Sequence, residues 1–192
     1  MTKALYLVGA PASGKSTTMA AVYDLLGAEL GEVETLWPGH RGIFKGQRMH
    51  SILDGSEIGV SLGVQREGGF PGTDGLSMAA PPVAVDWIEE APELPPLIVG
   101  EGNRLGTDGF MQALARRTEL VVGHLVTTGD ILDQRCAERG SNQQLQWRKA
   151  AETRAQRAAH AASGAGAEVR LCDSGAHEPR EIARQLLDAL GV

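Results

Sequence analysis

The feature that most constrains this chain is Gly9-Ala10-Pro11-Ala12-Ser13-Gly14-Lys15-Ser16, which fits the pattern GxxxxGK[ST]. The apolar run KALYLV at 3 to 8 leads into it, and residues 15 to 30, with apolar positions at helical spacing, lead out. Strand, glycine-rich loop and helix in that order build an anion site. Backbone N–H groups converge on phosphate oxygens, and the helix adds the positive end of its dipole at the same point. On this reading Gly9, Ala12, Ser13 and Gly14 form the cradle, and Lys15 reaches the β- and γ-phosphates. Ser16 supplies a hydroxyl to Mg²⁺, and Thr17 continues the helix.

Composition narrows the class further. The 192 residues are 42% apolar and 22% charged, enough for one ordinary domain with a buried core, here 1 to 192. No apolar run is long enough to span a bilayer and no signal-peptide pattern opens the chain, so a soluble, cytoplasmic protein without a membrane partner is expected. Cys136 and Cys172 stand far apart, in no metal-binding spacing, and read as free thiols. The net charge of -6 argues against a general nucleic-acid coat but leaves room for a local basic groove. Fourteen arginines against four lysines fit phosphate chemistry, with a GC-rich coding sequence as the plainer explanation.

Further along the chain, strand-like and helix-like segments alternate. Strands are expected at 33 to 37, 97 to 100, 119 to 127 and 167 to 172, with helices from about 76 to 90 and at 107 to 117, 129 to 139, 142 to 163 and 178 to 190. The glycine-rich stretch from about 39 to 80 reads as a β-hairpin insert. This alternation predicts a parallel sheet covered by helices on both faces.

Four further groups of residues carry chemistry. LIVG at 97 to 100 delivers Glu101 to the end of a strand beside the phosphate loop, the place of a metal-associated carboxylate; capping of the next turn is the structural alternative. In GGFPGTDGLSM at 68 to 78, Asp74 is a candidate for aligning an acceptor hydroxyl and Phe70 for stacking on a base, while Thr73, Asp74 and Ser77 equally suit a helix cap. His40, Arg41, Lys45, Arg48 and His50 form a basic run able to grip an acceptor phosphate or a DNA backbone. Arg135 and Arg139 share one helix face, and Arg148 follows across a turn, so these three could meet a triphosphate; a helix laced with Glu/Arg pairs, including Glu138 and Glu152, is the alternative. Gly175 lies in the loop after the last strand, at the carboxyl edge of the sheet, where the resemblance described next implies backbone contact with the nucleotide.

Taken together, the phosphate loop, Glu101-Gly102-Asn103-Arg104 and the RxxxR pair resemble P-loop kinases of the nucleoside and nucleotide kinase type. The resemblance implies a P-loop NTPase fold: an α/β three-layer αβα sandwich with a parallel five-stranded sheet, a β-hairpin insert and an arginine-rich lid at about 133 to 150. It departs from the family's Asp-Gly-Phe-Pro-Arg, with Glu101 for Asp and Arg104 one residue early. FPGTDGLSM, IVGEGNRL and RxxxRGSNQQ also resemble bacteriophage-encoded kinases, among them 5-hydroxymethyluracil DNA kinases. The implied function is transfer of the ATP γ-phosphate to a hydroxyl, with Mg²⁺, on a modified DNA base. In that reading Arg41, Phe70, Asp74, Arg104 and Arg148 face the acceptor. A kinase of free nucleosides, nucleotides or other metabolites is the alternative, and a non-catalytic ATP-binding module the lesser one. Oligomeric state is open.

Overall fold

Alternating apolar positions along each central strand send side chains to both faces, so the sheet must be covered twice. The computed structural model describes residues 1–37, 42–64, 71–138 and 145–192 and bears this out. The elements run β1 (Lys3–Gly9), α1 (Lys15–Leu26), β2 (Ala28–Thr35), β3 (Lys45–Ser51), β4 (Glu57–Leu62), a 3₁₀ turn (Gly72–Gly75), α2 (Ala80–Glu90), β5 (Leu97–Glu101), α3 (Asp108–Arg117), β6 (Glu119–Val126), α4 (Gly129–Glu138), α5 (Leu145–Gly164), β7 (Glu168–Asp173) and α6 (Pro179–Leu190).

Ala4, Tyr6 and Val8 of β1 point to one layer with Leu114 of α3, Ile88 of α2 and the alanines Ala155, Ala158 and Ala162 of α5. Leu5 and Leu7 point to the other, against Met19 and Val22 of α1 and Ile182, Leu186 and Leu190 of α6. The three-layer expectation therefore holds. With so few aromatic residues, the alanine face of α5 lets that helix lie close to the sheet.

Strand number departs from expectation. The sheet has seven strands in the order β2-β3-β4-β5-β1-β6-β7. Five of them, β4 to β7 and β1, pair in parallel, while β2, β3 and β4 pair antiparallel. The segment read as an inserted hairpin thus extends the central sheet, because the end of β4 (Val60, Ser61, Leu62) is buried and pairs with Ile98 and Val99 of β5. The second strand also starts earlier than its apolar residues indicate. Gly27 closes α1 in the left-handed conformation and turns the chain directly into β2, which runs along the sheet edge with little burial. Helix α2 begins at Ala80, within the expected start at Leu76 or later, with Pro81 and Pro82 in its first turn, where their missing N–H groups cost nothing. Arg41 and Phe70, together with His40 and residues 139 to 144, Arg139 among them, lie outside the described residues. No described helix is long and apolar enough to cross a membrane.

Candidate active site

The phosphate loop sits at the carboxyl edge of the sheet, between β1 and α1. It closes tightly: a Cβ at Gly9 would lie 2.5 Å from the Leu125 carbonyl and 2.6 Å from Ser13 Oγ, so only glycine fits beneath the loop. Ala12 is the only non-glycine residue with positive φ, 64°, among the described residues. A strained conformation retained there fits a loop shaped to present its amides rather than to relax. The first turn of α1 carries no acidic residue, leaving its positive end uncompensated. The Lys15 ammonium is buried and donates to the carbonyls of Gly9 (3.0 Å) and Ala10 (2.9 Å), holding a cation inside the loop. Thr17 is exposed on the first turn of α1.

Glu101 ends β5, only 2% exposed, and accepts a 2.7 Å hydrogen bond from the Ser16 hydroxyl. A hydroxyl and a carboxylate oxygen at the start of the anion-binding helix form a hard-oxygen donor pair of the kind Mg²⁺ takes beside phosphates, so the residues present fit that ion. Cap formation alone does not explain Glu101, because its side chain turns toward α1 rather than toward the next turn.

Asp74 does not cap helix α2. No side chain caps that helix; the amide of its N-cap residue, Ala79, bonds to Ser77 Oγ. The Asp74 Oδ1 atom accepts from the amides of Asn103 (2.8 Å) and Arg104 (2.9 Å), fixing the chain just past Glu101. Beside it, Thr73 Oγ1 donates to the Glu101 carbonyl at 2.9 Å. Tyr6, fully buried in β1, places its hydroxyl 2.9 Å from Thr73 Oγ1 and 3.0 Å from the Gly102 carbonyl. Burial pushes the Tyr6 phenol well above its ordinary pKa, so it keeps the proton it donates. The fit between the two turns leaves no slack, since a Cβ on Gly72 (φ 63°) would stand 2.7 Å from the Glu101 carbonyl oxygen. The 3₁₀ turn and the β5 exit thus form one interlocked block beside the phosphate loop.

Arg135 projects from α4 to the opposite flank. Its guanidinium donates to the Ser174 carbonyl (2.8 Å), to Ser174 Oγ (3.3 Å) and to the Ala12 carbonyl (3.4 Å), joining the phosphate loop to the loop after β7. In that second loop Ser174 makes the contacts, while the Gly175 amide bonds back to Asp173 Oδ1 at 2.8 Å. Ser174 was missed in the sequence because a serine in a short polar loop carries no pattern of its own. Arg148 forms an ion pair with Asp133, tying α5 to α4. Arg104 is held through its backbone by Asp74, and its Nε is buried without a partner. Of the basic run, Arg48 is engaged by Glu34 (2.5 Å) and Glu57 (3.0 Å), so its charge is offset within the sheet. Also missed was Glu152 of α5, which reaches His124 Nε2 at 3.1 Å near the loop. Its place in an alanine- and arginine-rich helix made it look like surface charge.

A parallel sheet wound around a phosphate loop, with a hydroxyl–carboxylate pair at the head of α1 and an arginine clamp opposite, defines a nucleotide-binding protein of the P-loop class. The model of the family P-loop Nucleotide Kinase3 matches residues 1–190, and the chain belongs to that family. No curated protein sequence matches it. Among solved structures it is similar to the unliganded crystal structure of a sugar kinase from Janibacter sp. HTCC2649, with 14% identity and a TM-score of 0.56 over 100% of this chain and 96% of that one. At that identity the likeness is one of fold.

Proposed function

We propose that this protein transfers the γ-phosphate of ATP to a hydroxyl acceptor, and that the acceptor is the hydroxymethyl group of 5-hydroxymethyluracil in DNA. The observation that carries the phosphotransfer reading is the Ser16–Glu101 contact at the head of α1, beside a loop already holding the Lys15 cation. In the reaction the loop amides and the α1 dipole bind the β- and γ-phosphates, and Lys15 turns from the Gly9 and Ala10 carbonyls to phosphate oxygens. Ser16 and Glu101 would hold Mg²⁺, which supplies charge neutralisation on the phosphate oxygens when bound. Arg135 orders the nucleotide flank through Ser174, and Arg139 is assigned to the same triphosphate. Asp74 keeps the β5 exit, including Arg104, in place at the acceptor side.

The choice of acceptor rests on the resemblance of the sequence to phage-encoded kinases, with Arg41 and Phe70 assigned to the acceptor. A free nucleoside, nucleotide or sugar is the second reading. It is favoured by the offset of Arg48 by two carboxylates and by Glu29, Glu32 and Glu34 along the edge strand β2, which would repel a DNA backbone. Transfer of γ-labelled phosphate from ATP to 5-hydroxymethyluracil duplex DNA, thymine DNA, free nucleosides and nucleotides, and hexoses separates the two. Label confined to the hydroxymethyluracil duplex is expected. Label on a free small molecule instead would keep the chemistry and discard the DNA.

A further inference from the structure

Four carboxylates stand around the phosphate loop and the cavity beside it, and they are not equally available: Asp133 of α4 is engaged by Arg148 in an ion pair. Glu101 is almost fully buried and is engaged by Ser16. Asp74 spends Oδ1 on two backbone amides of the β5 exit. Glu152, on the second turn of α5, is different: its side chain is 40% exposed and lines a cavity of about 330 Å³ between α4, α5 and the start of the phosphate loop. That volume is in the range of small-ligand sites, roughly 300–1,000 Å³.

The cavity is built for an amphipathic ligand. Leu125 and Leu132 give it apolar walls, and Ala10 and Ser13 of the phosphate loop form one side. Because Lys15 bonds to the Ala10 carbonyl, the same residue borders both the cavity and the place of the terminal phosphates. Five buried side-chain polar atoms among the described residues lack a partner, and three of them, Ser13 Oγ, Thr127 Oγ1 and Arg148 Nε, belong to residues lining this cavity. Glu152 is oriented rather than loose. His124, on β6 and 8% exposed, fixes Oε1, and the hydrogen bond from His124, with lesser contributions from the Ala10 amide and Lys15, holds the carboxyl below its ordinary pKa.

We propose that this cavity receives the hydroxyl-bearing group of the acceptor and that Glu152 is the carboxylate that aligns it, with His124 as its positioning residue. The inference rests on the phosphotransfer reading above. In the step, the acceptor oxygen forms a bond to the γ-phosphorus while the bond from that phosphorus to the β,γ-bridging oxygen breaks. ADP leaves with the electron pair, and the hydroxyl proton passes to the Glu152 carboxylate. Asp74 then positions the loop and does not meet the hydroxyl.

The test compares wild type, Glu152→Gln, Asp74→Asn, Gly129→Leu, His124→Gln and His124→Leu. It reads transfer kinetics with the acceptor that wild type labels best in the panel above, and ATP binding by calorimetry. Glu152→Gln is expected to lower kcat about 10²-fold or more, as loss of a proton-accepting group does, with ATP affinity within about twofold. Gly129 lines the cavity, and a Cβ there meets no heavy atom within 4 Å. Gly129→Leu should therefore fill space without disturbing the fold and raise acceptor KM roughly tenfold while sparing ATP affinity. His124→Gln, which keeps a donor, should retain most of the turnover that His124→Leu loses. A Glu152→Gln enzyme that keeps more than about a third of kcat while Asp74→Asn is inactive and folded overturns the assignment but leaves the kinase intact. If Glu152→Gln does not fold, an unchanged acceptor KM in Gly129→Leu overturns it. Wild type that binds ATP and labels none of the acceptors removes the kinase reading, and this inference with it.

Discussion

The two sides of the phosphate loop are built by opposite strategies. On one side, residues contiguous in sequence form the structure: Gly9 to Ser16 make the loop, joined among the described residues by Glu101 and by the Arg135–Ser174 clamp. On the other side nothing is contiguous. Tyr6, Thr73, Asp74 and the 101 to 105 turn interlock across 67 and 96 positions of chain, and Glu152 meets His124 from α5. A ligand portion common to every NTPase can be held by backbone, which a short motif encodes. An acceptor that differs between enzymes must be met by side chains whose placement depends on packing.

The largest expected effect breaks the donor side alone. Lys15→Ala should cost about 10²–10³-fold in phosphoryl transfer, the scale for removing one electrostatic stabiliser of the transferring group. Circular dichroism and thermal melting should show the fold retained; full activity would show that the loop is not the donor site. Arg135→Ala comes next. Opening the clamp to Ser174 should weaken ATP binding roughly tenfold, since hydrogen bonds to a charged group contribute about 1.5–3 kcal/mol each, part of which water replaces. Calorimetric titration with a non-hydrolysable ATP analogue measures it, and an unchanged affinity would confine Arg135 to a structural tie.

Asp74→Asn probes the seam between the two sides. The amide oxygen can still accept from Asn103 and Arg104 but without charge, so stability should fall by about 1–2 kcal/mol. For a chain of this size each kcal/mol moves Tm by about 2–4 °C. Turnover should fall with it while ATP affinity holds. A melting point unmoved beside a lost turnover would make Asp74 a group that meets substrate rather than one that holds the loop.

The smallest effect concerns pH. His124 holds the folded Glu152 carboxyl below its ordinary value near 4.5, so the carboxylate's contribution to stability is present above that pH and lost as pH falls through the lower folded value. The difference in Tm between wild type and Glu152→Gln should therefore shrink on acidification from pH 6 to below 4. A difference constant across that range would mean the pair is not formed in solution.

How much of this was legible beforehand varies with the length of the signal. The strand, loop and helix at the start, the αβα layering and Glu101 at a strand end follow from local pattern. The hairpin did not reveal that β4 enters the main sheet, because GVSL is a short apolar stretch whose pairing partner, Ile98-Val99, lies almost 40 residues away in the chain. Arg148 carries the same charge in sequence whether it meets phosphate or Asp133, and only the packing of α4 against α5 decides between them. Arg48 is the same case, with Glu34 and Glu57 delivered by neighbouring strands.

By itself, then, the sequence determined the class of chemistry: eight consecutive residues between a strand and a helix are sufficient to bind phosphate, because the ligands are backbone amides and a helix end. Only the tertiary structure decided which carboxylate pairs with the Ser16 hydroxyl, which with loop amides and which faces a cavity. Glu101, Asp74 and Glu152 are chemically near-equivalent, and they differ only in the partners that folding brings to each oxygen.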